Sequence, residues 1–203
     1  MPDSAITGMT LAARAAEMVA VIASARATDR TGRIVDTEEF VERCVDILRD
    51  LRARDGSLYV AGNGGSAAVA SHCATDLINA GRIRAMTLHE SSLLTCMTND
   101  FGYENAFARI LAAYARPADA LITISSSGRS PNITNAAERV REIGGTIITL
   151  SGFAADNPLR ALGDLNLWMD CRDYGVVELC HQFILQNVAD RLRLKLGPED
   201  VER

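Results

Sequence analysis

The sequence predicts an α/β protein in which a parallel β-sheet is flanked by helices. From Leu58 onward, short apolar runs alternate with longer stretches of helical periodicity, which is the order of elements in βαβ units. The runs are apolar throughout rather than alternating, as is typical of parallel strands covered on both faces. Because crossovers between such strands are right-handed, a doubly wound sheet is the expected architecture.

Length and composition fit one globular domain. The chain has 203 residues, of which 48% are apolar and 23% are charged, an ordinary balance for a domain with a hydrophobic core. The sequence contains no repeat or low-complexity tract that would divide it. We therefore expect a single domain over residues 1–203, with an N-terminal helical segment at 1–55 and an α/β core at 56–203.

The N-terminal segment is predicted to form two helices joined by a polar connection at residues 28–33. The second helix begins with Asp36 as N-cap, and Glu39 three residues later makes a variant of the capping box. Apolar side chains recur at helical spacing in both helices: Leu11, Ala15, Met18, Val19 and Ile22, then Phe40, Cys44, Ile47, Leu48 and Leu51.

The core is predicted to contain five strands and four helices. The strands are the apolar runs at residues 58–61, 85–88, 118–124, 146–150 and 165–169. The helices are the periodic stretches at residues 66–79, 103–114, 131–143 and 176–195. Gly144 and Gly145 end the third of these helices, as glycines do at helix C-caps. His89 and Glu90 are interpreted as loop.

Charge and hydropathy exclude two classes of function. The net charge is −5 and the sequence has no block of lysine or arginine, so direct nucleic-acid binding is not expected. No apolar stretch approaches the roughly 20 residues that span a bilayer, so no membrane segment is expected. Asp3 near the start, with Arg14 and Glu17 inside the first apolar stretch, argues against a signal peptide and favours a cytoplasmic protein.

A glycine-rich loop follows the first strand of the core and enters a helix. It reads Gly62-Asn63-Gly64-Gly65-Ser66. Glycines let backbone N–H groups approach a ligand closely, and a helix N-terminus favours an anion. No lysine follows as in a Walker loop, and the last position of a GxGxxG motif is Ala67, so no nucleotide cofactor is expected. Taken alone, the loop fits a ligand site or a tight structural turn.

A serine-rich loop follows the third predicted strand of the core. It reads Ser125-Ser126-Ser127-Gly128-Arg129-Ser130, and Pro131 then occupies the first position of a helix with Ser130 as N-cap. Ligands of parallel sheets bind at the carboxyl ends of the strands, where both loops are expected. Hydroxyls and free N–H groups at two helix ends would hold a phosphate. The alternative is a serine-rich turn with one capping side chain.

These motifs and their order resemble the SIS (sugar isomerase) domain family, and within it the phosphoheptose isomerases. The matching pieces, in order, are Gly62 to Ala68, His72 with an acid four residues later, Thr98 to Glu104, and Ile124 to Asn132. The resemblance implies a five-stranded parallel sheet flanked by helices, with two leading helices. It also implies a homotetramer with its sites at subunit interfaces, and a sugar phosphate as ligand.

The resemblance also implies a set of substrate-binding residues. Those carried over by position are Asn63, Gly64, Gly65, Ser66, Asn99, Asp100, Ser125, Ser126, Ser127, Ser130 and Glu178. His72 stands at a metal-ligand position of the family, and Asp76 stands where the family usually has a catalytic glutamate. Residues four apart lie on one helix face, so both can reach one substrate or one metal ion.

The last helix departs from the family pattern. The family usually shows glutamine, then a histidine three residues later and a second histidine eight residues after the glutamine. An ungapped alignment places Glu178, His181 and Gln186 at these positions. Gln186 replaces the second histidine, a catalytic and metal-binding group, and a glutamine amide does not exchange protons near neutral pH.

Aldose–ketose isomerisation moves one proton between adjacent carbons and another between oxygens. Asp76 is the predicted base, and His181 or His72 the predicted acid. The same resemblance implies a possible Zn²⁺ site formed by His72, Asp76, Glu178 and Gln186. Less specific interpretations stay open: Asp76 could be a surface residue, His72 an ordinary helix histidine, and Glu178 and His181 an ion pair.

The leading hypothesis is a phosphosugar isomerase that interconverts sedoheptulose 7-phosphate and D-glycero-D-manno-heptose 7-phosphate. One alternative is a non-catalytic SIS protein that binds a phosphosugar or the replication initiator protein. Another is an isomerase of a different phosphosugar in a secondary-metabolite pathway.

Overall fold

The computed structural model describes residues 9–196. Over that range the helices are α1 Leu11–Ala23, α2 Thr37–Ala53, α3 Gly65–Asn79, α4 Ser91–Phe101, α5 Tyr103–Tyr114, α6 Pro131–Ile143 and α7 Tyr174–Lys195, with a short 3-10 helix at Pro158–Ala161. The strands are β1 Arg26–Asp29, β2 Ile34–Val35, β3 Ser57–Gly62, β4 Arg84–Thr87, β5 Ala120–Ser125, β6 Thr146–Ser151 and β7 Leu165–Trp168. None of these helices is long and apolar enough to cross a bilayer.

One sheet runs through the described part of the chain, with the strand order β2-β1-β7-β6-β5-β3-β4. The strands β3 to β7 pair in parallel, as the alternation of elements predicts. All five predicted strands of the core are present, so the prediction of a parallel sheet flanked by helices is confirmed.

The predicted number of five strands is wrong, because the sheet has seven within residues 9–196. The expected polar connection folds into a hairpin, in which β1 pairs antiparallel with β2 and with β7. The Asp29 carboxylate closes the turn by accepting hydrogen bonds from the backbone N–H groups of Thr31 and Arg33 at 2.9 and 3.1 Å. The segment 1–55 therefore contributes two strands as well as two helices. They were missed because they are short: β2 has two residues, and three of the four residues of β1 are polar.

Two hydrophobic layers cover the two faces of the sheet. Side chains of α2, α3 and α7 pack on one face, and those of α5 and α6 pack on the other. The residues of β3 alternate between the layers: Leu58 and Val60 belong to the first, and Tyr59 and Ala61 to the second. This two-sided burial explains why the strands are apolar throughout.

Helix α4 was not predicted, because residues 89 and 90 were interpreted as loop with no helix after them. Glu90 is in fact the N-cap, and its carboxylate accepts hydrogen bonds from the N–H groups of Ser92 and Leu93 at 3.1 and 2.8 Å. None of the described residues of α4 is buried. Leu93, Leu94 and Met97 pack against the edge of the second hydrophobic layer and are only partly buried. The apolar periodicity on which sequence analysis relies is therefore weak in this helix.

The topology brings the two polar loops together. β3 and β5 are neighbours in the sheet, with Gly62 opposite Ile124. The chain leaves β3 towards β4 on one side and returns to β5 on the other. Such a reversal opens a crevice outside the carboxyl ends of the strands, where ligands of doubly wound folds bind.

Candidate functional site

A cavity of about 370 Å³ opens where β3 and β5 end. It is lined by residues of both loops and of α7: Asn63, Gly64, Gly65, Ser66, Ile124, Ser125, Ser126, Ser127, Ser130, Tyr174 and Glu178. The structure thus brings together the predicted residues of the two loops and Glu178. Sequence reasoning missed Ile124 and Tyr174. Tyr174 lies in the first turn of α7, far along the chain from either loop, and no motif marks it.

The glycine-rich loop presents the N-terminus of α3 to the cavity. Gly64 is the N-cap residue and has φ +55° and ψ −123°, a conformation that residues with a side chain rarely adopt. Because Gly64 has no side chain, it cannot cap the first N–H groups of α3. The partial positive charge of this helix end therefore faces the cavity.

Hydrogen bonds within the serine-rich loop fix its shape. The Ser125 hydroxyl accepts from the Gly128 N–H at 3.2 Å and lies 3.5 Å from the Ser130 hydroxyl. The Ser127 hydroxyl accepts from the Arg129 N–H at 3.3 Å. The predicted start of α6 is confirmed, with Ser130 as N-cap and the first helical residue a proline. Among residues 9–196, the Ser130 hydroxyl makes no capping hydrogen bond. Pro131 has no N–H and the Ile133 N–H donates to the Ser130 carbonyl at 3.0 Å, so the Asn132 N–H is the group at this helix end that stays available to a ligand.

The Ser126 hydroxyl points to a ligand. Ser126 lines the cavity and is only 3% exposed, yet its Oγ has no hydrogen-bond partner among the described residues. A buried hydroxyl without a partner costs free energy, so such groups are rare unless a ligand or water completes them. Here the missing partner would be an acceptor inside the cavity.

Electrostatics at the cavity come from dipoles rather than from cationic side chains. None of the described lining residues is a lysine or an arginine. Arg129 lies in the serine-rich loop, but its guanidinium forms an ion pair with Asp156 at 2.8 Å. Two helix N-termini, backbone N–H groups and hydroxyls therefore make up the anion-binding groups.

A pair of side-chain amides joins the two loops. Asn63 Nδ2 donates to Asn132 Oδ1 at 2.9 Å, and Asn132 Nδ2 donates back to Asn63 Oδ1 at 2.8 Å. The Tyr103 hydroxyl donates to the same Asn63 oxygen at 2.7 Å. Asn132 is 2% exposed and lies in the first turn of α6. The glycine-rich loop is therefore held to the helix that follows the serine-rich loop.

Glu178 connects this cavity with a second groove of about 390 Å³ between α3 and α7. The groove is lined by Gly65, Ala68, Val69, His72, Gly175, Glu178, Leu179 and Gln182. Burial raises the pKa of the Glu178 carboxyl, and a hydrogen bond from the Ser66 N–H opposes that rise. Glu178 and His72, both predicted site residues, thus share one groove.

His72, Asp76 and Gln186 form a cluster farther along α3. His72 Nε2 lies 3.0 Å from Asp76 Oδ2 and 3.3 Å from Gln186 Oε1. The predicted shared face of His72 and Asp76 is therefore present. Asp76 follows Ser66 by ten residues, which is about 15 Å along a helix, and it lines neither the cavity nor the groove.

His181 does not lie at the cavity. It is fully buried, and its Nε2 lies 3.2 Å from the backbone oxygen of Ser151, to which it must donate because a carbonyl only accepts. Burial lowers the pKa of His181 to about 4. A buried, neutral imidazole out of contact with the cavity cannot pass protons to a ligand there, so the structure argues against the predicted acid role.

Asn99 and Asp100 lie away from the cavity lining. Both are exposed in the last turn of α4, where Asn99 Nδ2 donates to Asp100 Oδ1 at 2.9 Å. Within one chain the structure does not bring them together with the two loops, and their role as ligand contacts stays a prediction.

The predicted zinc ligands are only partly assembled. Among residues 9–196, no three His, Cys, Asp or Glu side chains gather as a metal site. His72, Asp76 and Gln186 adjoin one another and offer one imidazole and two oxygen donors, whereas the Glu178 carboxylate accepts from Ser66 instead. Zinc prefers more nitrogen or sulfur donors than this set contains, so zinc binding stays a prediction.

Comparison with known proteins places the chain in a family. The sequence profile of the SIS domain matches residues 24–152, which is more than half of the chain. The chain belongs to the SIS domain family. The matched residues include both loops of the cavity, His72 and Asp76, whereas Glu178 and Gln186 lie beyond them.

Individual relatives of this SIS domain protein are phosphoheptose isomerases. The enzyme of Mycobacterium tuberculosis is 34% identical over 141 residues, which are 66% of this chain and 71% of that protein. The enzyme of Helicobacter pylori is 30% identical over 159 residues, which are 75% of this chain and 82% of that protein. The solved phosphoheptose isomerase of Neisseria gonorrhoeae superposes with a TM-score of 0.76 at 25% identity, covering 90% of this chain and 96% of that one.

Proposed function

We propose that this SIS domain protein is a phosphosugar isomerase that interconverts sedoheptulose 7-phosphate and D-glycero-D-manno-heptose 7-phosphate. Relatives at 30–34% identity bear the name phosphoheptose isomerase. The cavity at the ends of β3 and β5 has the size and polar lining that a phosphate with part of a sugar requires.

The unpartnered Ser126 hydroxyl is the observation that carries the proposal. It lines a cavity whose other donor groups include the hydroxyls of the serine-rich loop and N–H groups at the starts of α3 and α6. All of these groups can donate to one oxyanion. A phosphate has enough acceptor oxygens to satisfy them together, which a neutral hydroxyl or amide does not.

The chemistry follows from the groups near the groove. A base removes the proton from C1 of the ketose and leaves an enediol, and the proton returns to C2 to give the aldose. A second group moves a proton between the two oxygens. We assign the base to Asp76 and the second role to His72, which lies 3.0 Å from it. His181 takes no part because it is buried.

The reacting end of the sugar has to lie far from its phosphate. A seven-carbon sugar carries its carbonyl near the opposite end of the chain from the 7-phosphate. His72 follows Ser66 by six residues, about 9 Å along α3, and it lines the groove that meets the cavity at Glu178. The groove therefore gives an extended sugar a path from the phosphate loops towards His72.

The proposal includes a homotetramer with its sites at subunit interfaces. Leu179 and Phe183, on α7 beside the groove, are 55% and 53% exposed. Apolar side chains of this size next to a binding groove are typical of a surface that another subunit covers. A second copy there would close the groove.

We also propose that His72, Asp76 and Gln186 would hold a zinc ion, with Glu178 as a further donor. A bound metal ion would polarise the sugar carbonyl. Independently of it, His72 and Asp76 would still orient and move the protons. Equilibrium dialysis of the chelator-treated chain against zinc, compared with a His72→Asn variant, tests this assignment.

A second candidate function is phosphosugar binding without turnover. It is favoured by Gln186, which lies 3.3 Å from His72 where the family pattern has a histidine. An amide at this position leaves one proton carrier fewer than the usual reaction uses. An isomerase acting on a different phosphosugar is the other alternative.

Turnover experiments separate these functions. The purified chain, with and without zinc, is incubated with sedoheptulose 7-phosphate and with phosphorylated ketoses of five and six carbons, and products are followed by NMR. We expect the aldose heptose 7-phosphate to form, and an Asp76→Asn variant to bind substrate without turnover. Thermal stabilisation without any product would establish the binding function instead. Product from a shorter ketose alone would reassign the substrate.

A further inference from the structure

The Glu178 carboxylate lies against the first turn of α3. The N–H of Ser66 hydrogen-bonds to it, and a side chain at position 65 would overlap it. The carboxylate thus occupies the space that a side chain at position 65 would fill, so any larger residue there would have to displace it. Glu178 supplies from α7 the acceptor that the glycine N-cap of α3 lacks.

A phosphate in the cavity would need the same helix end. Gly65, Ser66 and Glu178 all line the cavity, so a phosphate held by the N–H groups of α3 would lie beside the carboxylate. Two anions in contact repel each other, and none of the described lining residues is a cation that could offset this. The carboxylate and the phosphate therefore compete.

The groove between α3 and α7 provides a second position for the Glu178 carboxylate. The groove between α3 and α7 shares Gly65 and Glu178 with the cavity and extends to His72. A rotation of the Glu178 side chain into this groove would release the Ser66 N–H. The carboxylate would then lie beside the path proposed for the sugar, where hydroxyl groups can donate to it.

We propose that Glu178 is a specificity-determining residue. Its carboxylate competes with bare anions for the N-terminus of α3, and it stabilises bound ligands whose sugar hydroxyls can donate hydrogen bonds to it. The inference rests on the phosphate site of the proposed function. An inorganic phosphate displaces the carboxylate and gives it no new partner. A sugar phosphate displaces it and then donates hydrogen bonds to it in the groove. The site thus discriminates against free phosphate, which is an abundant anion.

Binding measurements at one pH test this inference. Dissociation constants for inorganic phosphate and for sedoheptulose 7-phosphate are measured by calorimetry at pH 8, in buffer with a chelator, on the full chain and on Glu178→Gln and Glu178→Ala variants. We expect both variants to bind inorganic phosphate about tenfold more tightly than the parent chain. Sugar phosphate affinity should stay unchanged or fall, so the ratio between the two ligands should shrink at least tenfold.

Glu90→Gln is the matched control, because Glu90 also accepts N–H hydrogen bonds at a helix start, at α4, and lies outside the cavity lining. The Glu90→Gln variant should change neither of the two dissociation constants. Equal affinities for inorganic phosphate in the parent chain and both Glu178 variants would overturn the role of Glu178 and leave the phosphate site standing. If the parent chain and all variants bind neither ligand, the phosphate site itself is wrong, and the inference is wrong with it.

Discussion

Asn63 and Asn132 exchange two side-chain hydrogen bonds, of 2.9 and 2.8 Å, between the loop that follows β3 and the first turn of α6. Asn63 belongs to the glycine-rich loop, and Asn132 belongs to the helix that the serine-rich loop starts. A reciprocal amide pair needs both side chains in one plane at a fixed separation, since each donates to and accepts from the other. It therefore fixes the distance between the two loops that line the cavity.

Replacing Asn132 by alanine should separate the two loops. The change leaves Asn63 Nδ2 without its acceptor in a half-buried position, while Tyr103 still donates to Asn63 Oδ1, and the loss costs about 1 kcal/mol of unfolding free energy. We expect binding of sugar phosphate to weaken by about tenfold, measured by calorimetry beside urea unfolding. Asn135→Ala is the control, because Asn135 donates to the backbone oxygen of Glu104 at 2.9 Å and does not touch the loops. Unchanged binding by the Asn132 variant would show that the pair is structural only.

Ser126→Ala should weaken binding without weakening the fold. The hydroxyl has no partner among the described residues, so its removal takes away no hydrogen bond of the free protein. We expect the melting temperature to stay the same or rise, and sugar phosphate affinity to fall about tenfold, because one phosphate oxygen loses a donor.

Ser151→Ala provides the opposite case. The Ser151 hydroxyl is buried, accepts from Asn157 Nδ2 at 3.3 Å and lies 3.5 Å from the Leu167 carbonyl oxygen. The Ser151→Ala change should lower the melting temperature and leave the affinity for sugar phosphate unchanged. A Ser126 variant that melts lower and binds normally would contradict the assignment of this hydroxyl to the ligand.

His181 should make the fold sensitive to acid. Burial lowers the pKa of His181 from 6.5 to about 4. Between pH 6.5 and 4, His181 is therefore protonated in the unfolded chain but stays neutral in the folded chain. Stability is complete above pH 6.5 and declines as the pH falls towards 4, by about 3 kcal/mol in total.

Urea unfolding between pH 7.5 and 4 checks the size of this decline. A His181→Gln variant can still donate to the Ser151 oxygen but carries no titrating group, so its decline should be smaller by that amount. A His72→Asn variant leaves His181 in place, so it should retain the part of the decline that His181 causes. Equal slopes for the parent chain and the His181 variant would show that His181 is not the buried acid-sensitive group.

Much of the fold was predictable, because the elements that form the core carry their signals locally. β3, β5 and β6 are buried on both faces and read as continuous apolar runs. α6 shows a start and a stop, with a proline at its first residue and Gly144 in the left-handed conformation at its C-cap. The hairpin β1–β2 and helix α4 lacked such signals, because the two strands are only four and two residues long and α4 has no fully buried residue.

In the candidate site, too, some residues carry local sequence signals and others do not. The two loops could be predicted because glycines and hydroxyls at strand ends have a physical reason to be there. Tyr174, by contrast, reaches the cavity only because α7 packs against α3. The acid role predicted for His181 rested on its position in a family pattern, and burial is a tertiary property that spacing does not reveal. The contact of the Glu178 carboxylate with the first turn of α3 is likewise a tertiary contact that sequence spacing does not reveal.

The measurement that tests the account most directly is solvent deuterium exchange during turnover. The chain is incubated with sedoheptulose 7-phosphate in D₂O, and the sugar is followed by proton and carbon NMR. We predict that aldose heptose 7-phosphate forms with deuterium at C2, that Ser126→Ala slows the reaction through weaker substrate binding, and that Asp76→Asn abolishes it. A chain that binds the ketose phosphate yet yields neither aldose nor deuterated sugar, with or without zinc, would contradict the isomerase assignment.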